Sequence, residues 1–565
     1  MENELRAVIC SLNSQYIHSS LAVWCLLAGA QEYCHDGICA EVVEGTINEE
    51  RKKILERILS CKPDVVGFCC YIWNITVVCD LVKMMKEELA DCIIVLGGPE
   101  VSYNAREVLR NLPLVDYVIS GEGERPMAEL LNAIVSGSEL EDIPGICYRK
   151  GEGIIISEPY TPCEIPPSPY TRQYFDALNG RIAYLETSRG CPYSCAFCLS
   201  GRCGGVRYYD LERAKQEILL LANSGTQTIK LVDRTFNANR RRANELFRFI
   251  IEGYGKKIPQ GICFHFEIAG DLLDKETIEL LATAPVGSIQ FEIGLQSFNG
   301  KTLAAVNRKT NLEKLKQNIS QLVANGNVHI HIDLIAGLPH ENIVSFMDSF
   351  NTAFVLRPHM LQLGFLKLLH GSPMREEPGQ YPCEYTTKAP YEVIKTPWIS
   401  REELELLHYS EHALGQLYNR GRFRRTLTYL LNHMEKSPFE LFRDVGVFLG
   451  QTGEAPKSLD DFTALVFSYF VSQSGVEQTA LRDCMVCDRL ATNASGKLPK
   501  ALQIQDPRLK IAIKALEKQN ERRKAIKRGY AWLYGENCLV YVDYVDKNPV
   551  TGEYELNKYL NYLKE

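Results

Sequence analysis

The chain has 565 residues, with 63 Lys and Arg against 70 Asp and Glu, and 45% of its residues are hydrophobic. The formal net charge of −7 excludes the strong positive field of a general nucleic-acid binder, so nucleic acid is not an expected partner. The first residues are acidic where a secretory signal is basic, and no apolar run reaches the ~18 residues of a membrane span. We therefore expect a cytoplasmic protein without membrane contact, built from several domains.

Residues 1–140 alternate short apolar runs with helical patterns. Nearly continuous apolar strands separated by helices predict an α/β domain, a doubly wound Rossmann-like parallel sheet that is covered on both faces. The predicted strands are Arg6–Ser11, Cys39–Val43, Asp64–Cys70, Ile93–Gly97 and Asp116–Ile119.

Four loops follow the predicted strands at their carboxyl ends, where sheets of this kind bind ligands. Glycines in two of these loops let the backbone approach a large flat ligand closely. Strand–glycine turns are also ordinary in this fold, but four such loops at one edge favour a ligand site. The loops are Ser11–Ser20, Cys69–Asn74, Gly97–Ser102 (GGPEVS) and Gly121–Glu124 (GEGE).

The rest of the chain divides into three parts. Residues 141–180 are rich in Pro and Tyr without clear periodicity, which predicts a linker. Residues 181–385 contain six strand-plus-helix units, fewer than the eight units of a full barrel, and predict a partial (β/α)6 TIM-type barrel. Residues 386–565 predict a mainly helical domain, with a helical pattern over 508–534 and a short β-like tail. The predicted barrel strands are Ala183–Thr187, Thr228–Asp233, Ile262–Ile268, Ser288–Gly294, Val328–Ile335 and Leu361–Leu368.

The stretch GCPYSCAFCLSG places Cys191, Cys195 and Cys198 in a C-x3-C-x2-C spacing. It follows the first predicted barrel strand, so the loop should lie at the mouth of the barrel. Iron–sulfur clusters are normally held by four thiolates, and three ligands leave one iron open to a substrate or cosubstrate. The alternatives are core or redox cysteines, or a zinc site completed by Cys203 or a histidine.

This spacing, with the aromatic Phe197 before the last cysteine, resembles the radical S-adenosylmethionine (SAM) superfamily. The resemblance implies a [4Fe–4S] cluster whose open iron binds SAM, with Phe197 at the cofactor site. It further implies that reductive cleavage of SAM yields a 5′-deoxyadenosyl radical, with electrons from a donor such as flavodoxin or ferredoxin. The stretches IQFEIGLQSFNGKTLAAVNR and IHIDLIAGLP are similar to oxygen-independent coproporphyrinogen oxidases of this superfamily.

That similarity implies roles for five residues. Glu267 and Asp333 would hold the ribose hydroxyls of SAM, while Gln296 and Arg308 would hold its methionine end. Because Arg308 belongs to a different barrel unit from the cysteines, we expect it to serve SAM binding rather than cluster assembly. Asp233 stands where the family has a Gly-Gly-Glu-like element that contacts the methionine amine, but it could instead cap the next helix.

The order of an N-terminal sheet domain and a barrel also resembles the radical SAM enzymes that carry a cobalamin-binding domain. This resemblance covers about residues 1–385, and the helical region beyond is similar to an uncharacterised extension of one subgroup. The two glycine-bearing loops are similar to that family's as well. The cobalamin contacts implied in these loops are Gly97, Gly98, Glu100, Gly121 and Gly123.

His18 is the candidate cobalt ligand. In cobalamin domains a histidine in Asp-x-His-x-x-Gly ligates the metal from below, but the stretch Tyr16–Leu21 lacks both the aspartate and the glycine. The aspartate normally orients and polarises the histidine. We therefore favour cobalamin held base-off without a protein ligand over ligation by His18.

Together these features predict an anaerobe-type enzyme with a [4Fe–4S] cluster, SAM and cobalamin, which methylates an unactivated carbon or phosphorus of a small-molecule or peptide substrate. Ring formation or rearrangement is the close alternative. Two others are a radical SAM enzyme whose N-terminal domain only docks substrate, and a non-enzymatic iron–sulfur redox or sensing protein. Cys484 and Cys487 form a further C-x2-C, which without a second pair indicates buried or incidental thiols.

Overall fold

The computed structural model describes residues 4–452, 456–519 and 526–560. It divides into two compact units. Unit 1 comprises Met1–Leu273, Lys301–Thr310 and Phe365–Pro397, and unit 2 comprises Asp274–Gly300, Asn311–Gly364 and Trp398–Glu565. This division cuts through the predicted barrel. The unit boundaries therefore differ from the predicted domain boundaries and do not test them.

A seven-stranded sheet fills the N-terminal part of unit 1, in the order β2-β1-β3-β4-β5-β6-β7. The first five strands are parallel, and β6 and β7 are antiparallel additions. The strands are β1 Leu5–Asn13, β2 Ile38–Thr46, β3 Val65–Cys69, β4 Ile93–Gly97, β5 Tyr117–Ile119, β6 Ile146–Lys150 and β7 Gly153–Ile155. The helices are α1 Leu21–Tyr33, α2 Arg51–Ser60, α3 Ile75–Glu88, α4 Ala105–Asn111 and α5 Glu124–Ser136.

Helices cover both faces of this sheet, which is why its strands are apolar almost throughout. Side chains of α2, α3 and α4 form one buried cluster with one face of the sheet, and side chains of α1 and α5 contribute to a cluster with the other. The predicted doubly wound fold is confirmed. The chain passes from β1 to β2 on one side and then to β3 on the other, so the strand order reverses between β1 and β3. Ligands of such sheets bind at this reversal.

Part of the predicted linker belongs to this sheet. Residues 146–148 are buried, and β6 pairs with β5 in antiparallel register. β6 ends in Arg149 and Lys150 and β7 has no buried residue, so neither carries the continuous apolar run of β3 and β4. Later in the same segment a short helix begins after Thr171, whose side chain accepts a hydrogen bond from the Tyr174 backbone N–H.

The predicted barrel strands are all present, within a few residues of their predicted ends. In unit 1, β8 and β12 flank β11 in parallel register, and β9 and β10 form a small antiparallel hairpin that the sequence did not indicate. In unit 2, β13 and β14 are parallel and β15 follows. In chain order the elements are α6 Arg172–Leu178, β8 Ala183–Leu185, β9 Ser188–Gly190, β10 Val206–Tyr208, α7 Leu211–Ala222, β11 Thr228–Leu231, α8 Arg240–Gly253, β12 Cys263–Ile268, α9 Lys275–Ala282, β13 Ile289–Gln296, α10 Gly300–Ala305, α11 Leu312–Asn325, β14 His329–Ala336, α12 Ile343–Val355, β15 Met360–Phe365 and α13 Pro373–Glu376.

The C-terminal region is mainly helical, as predicted, and ends in a three-stranded antiparallel sheet. The helical prediction over 508–534 is wrong at its end, because residues 528–533 form a strand in which Trp532 and Leu533 are buried. Residues 520–525 between them lie outside the described part of the chain. The elements are β16 Glu384–Tyr385, β17 Val393–Lys395, α14 Arg401–Leu414, α15 Arg424–His433, α16 Pro438–Gln451, α17 Leu459–Val471, α18 Gln478–Thr492, α19 Pro507–Gln519, β18 Arg528–Leu533, β19 Cys538–Asp543 and β20 Leu556–Tyr559.

Among the described residues, no helix combines the length and the apolar character that crossing a membrane requires.

Candidate active site

A cavity of about 620 Å³ lies at the carboxyl edge of the N-terminal sheet, within unit 1. One wall comes from the loops after β1, β3, β4 and β5, and the facing wall from the first three barrel strands. Of the residues proposed from the sequence, His18, Gly97, Gly98, Gly121, Gly123 and Glu267 line it. Lining residues that the sequence did not single out are Tyr184, Glu186, Arg189, Lys230 and Arg234 on the barrel side.

The cavity continues as a slot between the sheet and the helices α1 and α5. Gly67 of β3 and Val95 of β4 line it on the sheet side, and Leu26 and Met127 line it on the helix side. A Cβ at Gly67 would stand 3.1 Å from the Met127 methyl carbon and would narrow the slot. A base-off cobalamin has a free nucleotide tail, which needs such a channel beside the sheet, so the residues present fit this cofactor.

Among the glycines that line the cavity, Gly97 is the one with room for a side chain. A Cβ there would have no protein atom nearer than 3.8 Å, so a side chain could enter the cavity without disturbing the fold. Gly98 differs, because its φ of 103° is left-handed and a Cβ would lie 2.6 Å from the Cys70 carbonyl oxygen. Gly98 is therefore required by the turn itself, whatever binds in the cavity.

His18 and Tyr184 meet at the mouth of the cavity. The Nδ1 atom of His18 lies 2.7 Å from the Tyr184 hydroxyl oxygen. Burial lowers the pKa of His18, and the nearby Lys230 ammonium lowers it further, so the imidazole is neutral near pH 7. Its second nitrogen is the one that a metal could approach if Nδ1 carries the proton.

Glu100 does not line the cavity. Its carboxylate is buried and accepts a hydrogen bond from the Tyr391 hydroxyl, and burial raises its pKa. A contact between Glu100 and cobalamin stays a prediction, but the structure gives this side chain a partner in the segment that follows the barrel.

The cysteine loop begins directly after β9. Cys195 is buried and Cys191 and Cys198 are partly exposed, and none of the three forms a disulfide. Burial raises the pKa of the Cys195 thiol, while the Arg308 guanidinium, 3.8 Å from its sulfur, opposes that shift. The charges of Cys198 and Cys191 also raise the pKa of Cys195. This donor set fits an iron–sulfur cluster with one open iron.

Arg308 lies next to the cysteine loop, which its position in the sequence did not indicate. Besides the contact with Cys195, its guanidinium lies 5.3 Å from the centre of the Tyr193 ring. The adjacent backbone is tied to the loop as well, because the Ala196 N–H donates to the Val306 carbonyl oxygen. Arg308 is therefore positioned beside the loop, and the expectation that it serves SAM binding rather than cluster assembly stays a prediction.

Phe197 and Asp233 were also assigned to the cofactor site from the sequence. Phe197 is partly buried on the loop. Both oxygens of Asp233 are already engaged, since they accept hydrogen bonds from the Thr187 backbone N–H and hydroxyl and from the Ser188 hydroxyl. Burial raises the pKa of Asp233 to about 6. Asp233 thus holds the segment that precedes the cysteines and does not cap the following helix.

Glu267 of β12 faces two cations. The Lys230 ammonium is 3.8 Å from one carboxylate oxygen and the Arg234 guanidinium is 3.9 Å from the other. Both cations favour the ionised carboxylate, which is the form that accepts hydrogen bonds from ribose hydroxyls.

Gln296 and Asp333 belong to unit 2 and are described within it. Gln296 ends β13 at a register shift, with a left-handed φ of 73°, and its buried amide oxygen has no hydrogen-bond partner among the described residues. Strained residues of this kind cluster at ligand sites. The carboxylate of Asp333 lies 2.9 Å from the His331 ring. An orphaned buried amide oxygen fits the hydrogen-bonding role proposed for Gln296 toward SAM.

A charge network connects the GEGE loop to the strand that precedes the cysteines. The Arg189 guanidinium contacts Glu122 at 2.6 Å, Glu124 at 2.5 Å and Glu186 at 2.9 Å. Burial alone would lower the pKa of Arg189, but the carboxylates of Glu124 and Glu186 raise it. Arg207, opposite Arg189 on β10, contacts Glu122 as well. Sequence reasoning named the glycines of this loop and missed its glutamates, although TSRG and GEGE stand in two segments already assigned to the site.

Three family models match the chain in succession. The B12 binding domain matches residues 8–131, the radical SAM superfamily matches residues 185–353, and a family of unknown function (DUF4080) matches residues 379–537. The chain thus carries a B12-binding domain followed by a radical SAM domain.

Similar proteins agree with this assignment. The chain is 27% identical over 370 residues to the cobalamin-dependent radical SAM methyltransferase TokK of Streptomyces tokunonensis. The aligned region covers 61% of this chain and 53% of that protein. It is 29% identical over 317 residues to the 2-(S-pantetheinyl)-carbapenam-3-carboxylate methyltransferase of Streptantibioticus cattleyicolor, covering 51% of this chain and 44% of that one. The chain thus spans about half the length of these curated relatives.

A solved structure shows the same fold. The cobalamin-dependent SAM radical enzyme OxsB, with aqua-cobalamin and SAM bound, superposes with a TM-score of 0.60 at 16% identity, covering 86% of this chain and 78% of that one. The predicted fold class, a Rossmann-like sheet followed by a partial barrel and a helical region, is confirmed.

Proposed function

We propose that this protein is a radical SAM enzyme that uses cobalamin to methylate an unactivated carbon or phosphorus. The observation that carries the proposal is the cavity of unit 1. The glycine loops of the N-terminal sheet form one side of it, and the barrel strands whose first loop bears Cys191, Cys195 and Cys198 form the other. Sites for a methyl carrier and for a radical source thus belong to one continuous part of the protein.

Each cofactor has residues suited to hold it. Cys191, Cys195 and Cys198 would ligate the cluster, and the cavity with Gly97 at its mouth would hold cobalamin. Glu267 would bind SAM through its ribose, and Arg308 would bind the carboxylate end. When bound, SAM and the cluster supply a 5′-deoxyadenosyl radical and cobalamin supplies a methyl carrier.

The protein itself positions the reacting groups and excludes water from them. Arg189 clamps Glu122 and Glu124 of the GEGE loop to Glu186, so the two walls of the cavity are fixed to each other. The network also closes part of the cavity wall with groups that satisfy one another, which helps to keep water from the reacting atoms. Lys230 and Arg234 hold the Glu267 carboxylate between two cations at the cavity wall.

We further propose a small-molecule or peptide substrate, reducing electrons from flavodoxin or ferredoxin, and a cytoplasmic location. The free thiols support this location. The 19 cysteines given for the described residues form no disulfides. Cysteines stay reduced in the cytoplasm, and a cluster site needs reduced cysteines.

The test supplies the anaerobically reconstituted protein with SAM carrying a deuterated methyl group, a reductant and a metabolite extract. Methylation in which SAM serves both as methyl source and as radical source predicts a product with the deuterated methyl group, together with S-adenosylhomocysteine and 5′-deoxyadenosine. A protein without the Cys191, Cys195 and Cys198 thiols is the matched control and should form no 5′-deoxyadenosine.

The same experiment separates methylation from the alternatives. Formation of 5′-deoxyadenosine with a new product that carries no label would indicate ring formation or rearrangement and would contradict the methyl-transfer proposal. Absence of 5′-deoxyadenosine from a protein that holds a full cluster would contradict radical SAM chemistry altogether.

A further inference from the structure

Four arginines stand close together in the C-terminal domain, in the stretch NRGRFRR. They are Arg420, Arg422, Arg424 and Arg425. The stretch begins at the end of a short π-helical segment after α14 and runs into the first residues of α15, and Gly421 supplies a left-handed φ of 65° between them. The structure divides these arginines into two pairs with different surroundings.

Arg424 and Arg425 are neutralised by acids. The Arg425 guanidinium contacts Asp488 at 3.2 Å and Glu553 at 3.1 Å, and Arg424 lies 3.9 Å from Glu553. This pair serves the packing of the domain, since Asp488 is buried and also binds the Thr426 backbone and hydroxyl.

Arg420 and Arg422 face a cavity of about 490 Å³ instead. The structure gives neither of them an ion pair or a side-chain hydrogen bond with any described residue. Lys457 and His412 also line the cavity, and none of the described lining residues is an acid. Burial lowers the pKa of Arg422, and the charges of Arg420 and Arg489 lower it further, so like charges face one another here.

The helix α17 points its N-terminus at the same cavity. Ser458 caps the helix by accepting from the Asp461 N–H, and both Ser458 and Leu459 line the cavity. Both acids of the first turn have partners, since Asp460 accepts from Arg489 and Asp461 accepts from the hydroxyl of Ser458, which itself lines the cavity. The positive end of the helix dipole thus adds to the field of the arginines.

We propose that this cavity binds the phosphate group of a small molecule. Guanidinium groups match phosphate oxygens with two parallel hydrogen bonds, and a helix N-terminus adds backbone donors. Unpaired like charges collected around a cavity are unfavourable until an anion occupies it. The volume suits a nucleotide-sized ligand. This site lies in the part of the chain matched by the family of unknown function and does not depend on the cofactor chemistry of unit 1.

The test is calorimetric titration of the full-length protein with pyrophosphate, and separately with ADP, at constant ionic strength. We expect saturable binding of one ligand per chain. Arg420→Gln/Arg422→Gln should weaken it at least about a hundredfold, because each lost charge-assisted contact costs about tenfold or more. The matched control is Arg401→Gln, which removes an exposed arginine of the same domain outside the cavity and should leave binding unchanged.

Thermal unfolding checks that the double variant is folded. Because Arg420 and Arg422 form no ion pair in the described part of the chain, their replacement should leave the Tm unchanged or raise it. Pyrophosphate should raise the Tm of the wild type and not that of the variant. Tighter binding of ADP than of pyrophosphate would identify a nucleotide-like ligand, and the reverse would identify free phosphate groups.

Three results would overturn the proposal. One is the absence of wild-type binding to either probe, and another is equal binding by the wild type and a folded Arg420→Gln/Arg422→Gln protein. The third is a preference for single-stranded oligonucleotides over both small probes, because this would assign the arginines to a nucleic-acid surface.

Discussion

The cysteine loop and the glycine loops of the N-terminal sheet are suited to cofactors for opposite reasons. In the first, three side chains would supply sulfur ligands, and a cation lies 3.8 Å from one of the sulfurs. In the second, the absence of side chains leaves a cavity of about 620 Å³ that runs down beside the sheet. Removing atoms should therefore destroy the first site, whereas adding atoms should destroy the second.

The largest effect is expected at the cysteine loop. Replacing Cys191, Cys195 and Cys198 by alanine should abolish both the [4Fe–4S] cluster and SAM cleavage, because no thiolates remain to hold the irons. Iron and sulfide content and 5′-deoxyadenosine formation measure the two losses. The matched control, Cys484→Ala/Cys487→Ala, should retain a full cluster. A full cluster in the triple variant would sink the assignment.

The converse change is Gly97→Val. A Cβ at this position has no protein atom nearer than 3.8 Å, so the fold should persist while the side chain takes up cavity space and cobalamin binding is lost. The measurement is the visible spectrum of the protein after anaerobic loading with cobalamin. Gly379→Val, at an exposed site with equally open space, should bind cobalamin like the wild type. Equal cobalamin uptake by both variants would place the cofactor elsewhere.

A moderate effect is expected for Arg308→Ala. The loss of a charge-assisted contact of about 1.5–3 kcal/mol should weaken SAM binding about tenfold to a hundredfold. Iron content should stay at the wild-type level, because the three cysteines are intact. Arg308→Lys keeps the charge but not the paired guanidinium donors, so its SAM affinity should lie between those of the wild type and Arg308→Ala. Unchanged affinity in Arg308→Ala would remove this residue from the SAM site.

The smallest effect is expected for His18→Ala. If cobalamin is bound without a protein ligand, both its amount and its cobalt spectrum should stay close to those of the wild type. His18→Gln is a control that keeps a polar side chain near Tyr184. A histidine-ligated cobalt signal that disappears in His18→Ala would show that the motif binds the metal without its aspartate and glycine.

Some elements of the fold were predictable from the sequence and others were not. The parallel strands and the cysteine spacing were predictable, because apolar runs and ligand spacing are local properties of the chain. The strands β6 and β7 were missed, since β6 ends in two cationic residues and β7 has no buried residue. The strand at residues 528–533 was taken for helix because the helical pattern before it continued into its sequence.

The side-chain partners at the site were not predictable in the same way. The contacts of Arg189 with Glu122 and Glu124 join residues 67 and 65 positions apart, and only the fold brings them together. The contact of Arg308 with Cys195 spans 113 positions, and again only the fold brings the two residues together. Glu100 was assigned to the cavity from its motif, yet tertiary packing directs it to Tyr391.

The central claim is that one chain holds both cofactors, and its most direct test is their stoichiometry in the wild-type protein. After reconstitution with iron, sulfide and cobalamin under anaerobic, reducing conditions, and after removal of unbound material, iron and cobalt are counted per chain. The account predicts one [4Fe–4S] cluster and one cobalt in the same preparation. A full cluster with cobalt only at background level would contradict it and leave a radical barrel joined to a domain that does not bind cobalamin.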